Sequence, residues 1–362
     1  MVTKTDFGPI SSGQMVHKYT ISNRKGERAE FLDYGASLHC LWLLDRNGSI
    51  SDCVLGVTTS KELEEMNNEG SVIGRCANRI AYGRCKIGGK EIQLETNQQG
   101  HFLHGASGNY AKKLFTAEAG PEPNQITFSL ADTGEGGFHN NVQVKVTYTF
   151  DDDSCLTIDY EMTPEEETIL CPTNHAYFNL DGYGDVRDEK LTIESSAIAN
   201  IDEEGLPDGR TFSVSGNVYD FTNPRTLREA IVSDRKEYLK RRSRGTFDTV
   251  YLIDGTGYRK AATLFSEQSG REMTVYTDSD ALILFLPDKC SRKKGKRGVQ
   301  LPDHAAVCLE TQFVPNAVNC PGFRSPVFKA GEVLRTRTQY AFRVKKDSCR
   351  ENTGESNKEN WR

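Results

Sequence analysis

No run in the 362-residue chain approaches the roughly 18 apolar residues that a membrane-spanning helix needs, and the start, MVTKTDFGPISSG, lacks an apolar signal core. No membrane association is expected, and a cytoplasmic location is. Metal-ligand spacing is missing as well. The seven histidines, at 17, 39, 101, 104, 139, 175 and 304, form no HxxxH or HExxH. The ten cysteines form no CxxC, and the closest pair, Cys76 and Cys85, stand nine positions apart. Zinc is therefore not expected. Several, such as Cys40 in SLHCLWLL and Cys308 in AAVCLE, lie in apolar strand-like runs, where a reduced, buried thiol is the plain expectation. No GxxxxGK[ST], no GxGxxG opening a helix and no GxSxG elbow occurs, and GTGYRK at 255–260 is a turn. No cofactor is expected. Basic charge is not in excess: 45 Lys and Arg against 51 Asp and Glu give a net charge of −6, with no electrostatic reason to bind nucleic acid.

What remains is an ordinary globular composition, 36% hydrophobic and 27% charged, able to build a large core. Short period-2 segments dominate it. VQVKVTYTF (142–150) alternates cleanly, and LTIDYEMT (156–163) follows across the polar DDDSC, which together predict a hairpin. KYTISN, KIGGKEIQL, ITFSLAD, KLTIESSAIANI, TVYLID, AATLFSEQSGREMTVYTD, residues 281–287 and QYAFRV read the same way, with 32 glycines available for the turns between them. Helical signals are few: SKELEEMNN, with Ser60 as its cap, and NPRTLREAI, with proline at the helix start. The pattern predicts an all-β fold, a large antiparallel β-sandwich with a few short helices. No fixed-period repeat and no linker divides it, so residues 1–345 read as one domain. The tail from 346 to 362, KDSCRENTGESNKENWR, has almost nothing to bury and is expected to be disordered. RKKGKR (292–297) reads as a solvated loop.

Four small clusters place polar groups beside apolar or glycine-rich backbone: GRCANRIAYGR with Asn78 and Arg79, HFLHG with His101 and His104, TNHAYFNL with His175, and VCLETQFVPNAVN with Glu310 and Gln312. Each has a structural alternative. Arg79 could stack on an aromatic ring, either of the close histidines could cap a loop, His175 could be a satisfied core residue, and Glu310 could be half of a buried ion pair with Arg75 or Arg79. A base, an acid and neutral donors together on one β-scaffold make a combination that structure alone rarely needs.

In order and separation, GRCANRI, HFLHG, TNHAYFNL and ETQFVPNAVN resemble the aldose 1-epimerases, the galactose mutarotase family. The likeness runs from YGASLHCLWLLDRNG to GEVLRTRTQYAF and takes in GEGGF, DEEGLPDG and the Phe247–Asp248 pair. It implies the galactose mutarotase-like supersandwich fold. It implies that His175 is the general acid delivering a proton to the ring oxygen of a hexopyranose, and Glu310 the general base at the C1 hydroxyl. Asn78, Arg79, His104 and Asp248 match residues that hold sugar oxygens, and Gln312 stands beside the base. The implied activity is interconversion of α and β anomers of aldohexoses such as galactose and glucose, with a free sugar as partner, no cofactor and a monomeric chain. The sequence also departs from the family. YTDSDALILFLPDKC lacks the usual proline-glycine turn near the expected pocket wall, which bears on sugar preference. Asn316 stands where an aspartate is common, and Asp208 follows Pro207 where a threonine is common.

The chemistry suits those residue types. Opening a hemiacetal requires one proton taken and another given in concert. A glutamate near pKa 4.3 and a histidine near 6.5 are natural partners, and a nearby carboxylate should keep the histidine charged before turnover. Three rivals stand beside this reading. A hexose-6-phosphate 1-epimerase would need arginines such as Arg75, Arg84 or the 292–297 run at the site. A non-catalytic sugar-binding protein would have lost the acid or the base. A glycoside hydrolase would pair Glu310 with Asp248 and leave His175 idle.

Overall fold

The computed structural model describes residues 1–65, 68–233, 247–290 and 293–346. The expected tail lies, apart from Lys346, outside the described residues. Strands form because alternate side chains are apolar. Val142–Phe150 and Cys155–Pro164 bury every second residue and pair antiparallel in register from Val142 opposite Pro164 to Phe150 opposite Leu156. This hairpin supplies the third and fourth strands of a nine-stranded sheet that continues on one side through Gln125–Asp132 and on the other through Leu334–Val344, Arg271–Thr277 and Arg259–Phe265. A five-stranded sheet is built in chain order from Thr3–Pro9 to Ile50–Asp52. A second runs Pro207–Ser213, Ala197–Ile201, Phe247–Leu252, Ala281–Leu286, Cys308–Gln312. The KLTIESSAIANI segment divides between sheets: Lys190–Ile193 joins the nine-stranded one and Ala197–Ile201 the other.

The sheets pack face to face over a core that runs from Tyr19 to Phe342. Phe31 of the first sheet lies 4.5 Å from Tyr148 of the large one, ring centre to ring centre, and Phe178 lies 4.9 Å from Tyr340. Such side chains, fully buried, stabilise the fold by about 1.5–3 kcal/mol each. The nine cysteines among the described residues are free thiols, seven of them buried.

Both helices exist, with caps other than those expected. Thr59, not Ser60, caps Ser60–Glu64, and Glu62 completes a capping box. Pro224 does not open the second helix. A short strand, Arg225–Thr226, intervenes, and Thr226 then accepts from Glu229 N while the Glu229 carboxylate accepts from Thr226 N, ahead of Leu227–Ser233. In both, a threonine able to bond the helix backbone outcompetes the neighbour that composition suggested.

In the described part of the basic run, 293–297, Lys293, Lys294 and Arg297 are exposed as expected, but Lys296 is not solvated. The Lys296 ammonium is buried against the Asp52 carboxylate at 2.6 Å and donates to the His39 carbonyl. Arg297 covers one side of Trp42, 4.2 Å from the ring centre, and Arg28 lies 4.3 Å from that centre. An acid and an indole on the adjacent sheet turn a run of surface charge into an anchor.

Candidate active site

The second five-stranded sheet sets up one polar face. Asp248 is opposite Phe285 and Phe285 opposite Cys308, while Ile283 is opposite Glu310. Directly paired residues share a face, and so do residues two apart on a strand. Asp248, Phe285, Cys308, Glu310 and Gln312 therefore all project to the same side.

The TNHAYFNL segment crosses that side. Thr173–Asn174 pairs with Val72–Ile73, and Phe178 exchanges backbone hydrogen bonds with Val307. The Thr173 hydroxyl donates to the Thr311 carbonyl at 3.0 Å, so the histidine segment is stitched to the strand that carries Glu310. His175 itself is held by its backbone: its N–H donates to Ser71 O and its carbonyl accepts from Gly70 N. Gly70 must be glycine, since at φ +77 an added Cβ would fall 2.1 Å from the Leu38 carbonyl oxygen. The outcome is that His175 Nε2 lies 3.6 Å from Glu310 Oε1, with the two residues 6% and 2% exposed.

Neutral and charged donors surround this pair. His104 and Asn78 both adopt left-handed backbone, at φ 53 and 60, and hydrogen-bond each other: His104 N donates to Asn78 O, and Asn78 N donates to His104 Nδ1 at 3.1 Å. With Nδ1 accepting, the neutral imidazole carries its proton on Nε2. The His104 ring packs at a steep angle on His175, centres 5.5 Å apart. Arg79 reaches Asp248 at 3.5 Å and is steadied by Gln98, which accepts from Nε at 2.8 Å, and by the Asn78 side-chain oxygen. Gln312 donates to Glu310 Oε2 at 3.4 Å. The structure thus brings His175, Glu310, Asn78, Arg79, His104, Asp248 and Gln312 into one site.

The ionisation of the pair differs from the expectation of a carboxylate beside an imidazolium. Burial, then the charge of Asp248, pushes the Glu310 carboxyl well up, against Arg79 and Gln312. Burial pulls His175 down to about 4, against its own backbone and Asp248. Desolvation outweighs mutual attraction and disfavours the charged form of both groups. His104 is held neutral by burial and by the neighbouring His175 and Arg79.

Other candidates are engaged elsewhere. Arg75 is buried in a bond to Asp132 at 2.8 Å and in contacts with Asn140, so it is not a partner of Glu310. His101 accepts from Tyr82 N and turns Nε2 to Glu204 at 3.3 Å, away from the pair. Asp208 pairs with Arg210. Asn316 has a structural task. At φ 58 it accepts from Ala81 N at 3.1 Å and donates its own N–H to the Arg79 carbonyl, latching the arginine segment to the strand that leaves Glu310. Sequence reasoning gave no role to Gln98 or Phe285 and took Tyr177 as a packing residue. Their signal lay in a register that only the folded sheet sets.

Among the described residues, Glu30, His39 and Cys40 bring ligand-type atoms within 4.8 Å of one another. Lys18 and Arg28 already pair with Glu30, and the Lys296 ammonium is 3.4 Å from Cys40 Sγ, so the position is cationic without a metal. An open groove of roughly 860 Å³ on the outer face of the large sheet holds none of the candidate residues. Its arginines are ion-paired, Arg337 to Asp159 and Arg335 to Glu161.

Comparison with known proteins shows the family. The sequence model of the family described as aldose 1-epimerase matches residues 17–341. The galactose mutarotase of Sus scrofa is 34% identical over 350 residues, spanning 95% of this chain and 99% of that protein. The aldose 1-epimerase of Escherichia coli (strain K12) is 29% identical, spanning 91% and 96%. The crystal structure of the GalM/aldose epimerase homologue from C. elegans superposes with a TM-score of 0.83 at 28% identity, covering 90% of this chain and 98% of that one. The galactose 1-epimerase from Lactobacillus acidophilus NCFM, at 23% identity and a TM-score of 0.83 over 95% and 99% of the two chains, shares the fold. With the family model matching nearly the whole chain, the protein belongs to the aldose 1-epimerase family.

Proposed function

We propose that the protein interconverts the α and β anomers of free aldohexoses such as galactose and glucose, with Glu310 and His175 as the proton-exchanging pair. The observation that carries the reading is the 3.6 Å apposition of a buried imidazole and a buried carboxyl, ringed by donors suited to hydroxyl groups. The pair holds one proton between its two members. In the carboxylate–imidazolium form, Glu310 takes the proton of the C1 hydroxyl while His175 gives one to the ring oxygen. The C1–O5 bond breaks, C1 becomes the aldehyde, and the pair is left neutral. Rotation about C1–C2 exposes the other aldehyde face. Closure returns both protons and restores the charged form.

Burial, which disfavours charge on both groups, thus favours the proton arrangement that accompanies the open sugar. Hydrogen bonds from the C1 hydroxyl to Glu310 and from His175 to the ring oxygen supply what burial withholds from the charged form. Arg79 with Asp248, and Asn78 with neutral His104, hold the other hydroxyls, so the sugar is oriented before any proton moves. Polarimetry on freshly dissolved α-D-galactose and α-D-glucose tests the proposal. The rotation should reach its equilibrium value faster in proportion to protein concentration; an unchanged rate with both sugars rejects it. We also propose that residues 1–345 act as one catalytic domain, as a monomer in the cytoplasm. Sedimentation equilibrium giving twice the chain mass would contradict the monomer.

A further inference from the structure

The His175 ring lacks the usual device that orients a catalytic imidazole. Its Nδ1 is buried and, among the described residues, no side chain accepts a hydrogen bond from it. In proton-transferring sites a carboxylate or carbonyl behind the ring commonly fixes its plane and stabilises the charge it gains. Here an aromatic ring lies against the face of the imidazole instead. Tyr177, two residues on and half-buried, lies parallel to the imidazole at an interplanar angle of 7°, centres 5.0 Å apart. Phe285, on the strand between those of Asp248 and Glu310, closes the corner. It is perpendicular to both rings, 6.0 Å from His175 and 6.2 Å from Tyr177. The Tyr177 backbone is fixed in turn, its carbonyl accepting from Leu55 N at 2.9 Å.

We propose that Tyr177 is a positioning residue for the reaction, its ring fixing the plane of the His175 imidazole and stabilising the imidazolium as the proton passes to and from the sugar. This rests on His175 being the proton carrier. The π face of an aromatic ring is negative, and a cation against it is favoured over the neutral ring, most of all where water is excluded. The other groups facing the imidazole are Glu310, Asp248 and neutral His104, with Arg79 beyond His104 and Glu69 beyond Tyr177. Asp248 favours the imidazolium through charge but is shared with Arg79. The Tyr177 face serves His175 directly.

The proposal separates shape from charge. Tyr177→Phe keeps the face and should retain kcat within about twofold. Pentafluorophenylalanine at 177 keeps a stackable ring of nearly the same size but reverses the sign of its face, and should lower kcat about tenfold. KM should move far less than kcat in that variant. The His175 limb of the pH–rate profile should shift to lower pH, and the His175 ring signals should titrate at lower pH by nuclear magnetic resonance. Tyr177→Leu should behave like the fluorinated protein. Should Leu prevent folding, the two ring variants still decide the matter. Equal kcat and equal pH limbs for Phe and pentafluorophenylalanine overturn the proposal. Wild-type turnover in His175→Gln overturns the role of His175 itself, so the two failures are distinguishable.

Discussion

His175 Nε2 and Glu310 Oε1 face each other across 3.6 Å inside a site that favours neither charge. The two residues are 135 positions apart in sequence and meet because the Thr173 hydroxyl binds the Thr311 carbonyl and Phe178 pairs with Val307. A pair that holds one proton can pass it from one member to the other and back. That reversibility suits a reaction in which each half-step reverses the other.

Removing either member should therefore be costly. Glu310→Gln and His175→Gln are each expected to lower kcat by about 10²–10⁴-fold, the usual contribution of one general acid or base. Binding of galactose should persist in both, measurable by calorimetry, because Arg79, Asp248, Asn78 and His104 remain.

The pH profile follows from the direction of each shift. The one-proton form gains a second proton only as the pH falls toward about 4, where burial has moved His175. It loses its proton only above the ordinary carboxylate range, because Glu310 is pushed up. kcat/KM, which reports the free enzyme, should fall on the acid side toward about 4 and fall again only above the ordinary carboxylate range. An acid-side limb near 6.5 in kcat/KM would contradict the burial argument.

Stability carries the opposite mark of the same groups. Glu310, raised in the folded state, contributes stability fully present below its unfolded pKa and lost as pH rises through the folded value. Glu189, also raised by burial, acts in the same direction. His175, depressed, contributes stability present above about 6.5 and lost as pH falls toward the folded value. Glu310→Gln should raise the melting temperature by ~2 °C at pH 8 and by about nothing at pH 4, in calorimetry at the two pH values.

Lys296 should prove to be a structural anchor. Lys296→Met leaves Asp52 buried without its cation and is expected to cost about 3–5 kcal/mol. The double variant Lys296→Met with Asp52→Asn should lose less than the lysine variant alone, by urea unfolding. Simple addition of the two single losses would argue against the pair.

Asn316 should affect substrate binding through the segment it latches. Asn316→Ala removes the acceptor of Ala81 N and places alanine at φ 58, so about 1–2 kcal/mol of stability should be lost. KM for galactose should rise more than kcat falls, because Arg79 loosens while the proton-exchanging pair stays intact. A kcat loss matching that of Glu310→Gln would show a role beyond positioning.

Much of this architecture was legible from alternation alone. Val142–Phe150 and Cys155–Pro164 bury every second residue, and a period of two cannot be mistaken over such lengths. The site clusters were legible because polar residues in GRCANRI, TNHAYFNL and VCLETQ interrupt runs built for burial. What the chain concealed depends on neighbours distant in sequence. Lys296 looked solvated because Asp52 lies 244 residues away, and the charge state of His175 was misjudged because a carboxylate's pull is local while desolvation is collective. Tyr177 read as packing, and it does pack, on the imidazole two positions before it. Helix starts shifted by small amounts, since Thr59 and Thr226 each had to be weighed against an adjacent alternative.

Exchange spectroscopy on equilibrated galactose tests the shared-proton pair most directly, because it reads α–β interconversion without net chemical change. Wild-type protein should give exchange between the two anomeric proton signals, and Glu310→Gln and His175→Gln should each abolish it while sugar binding remains. Exchange at the wild-type rate in either variant would contradict the account.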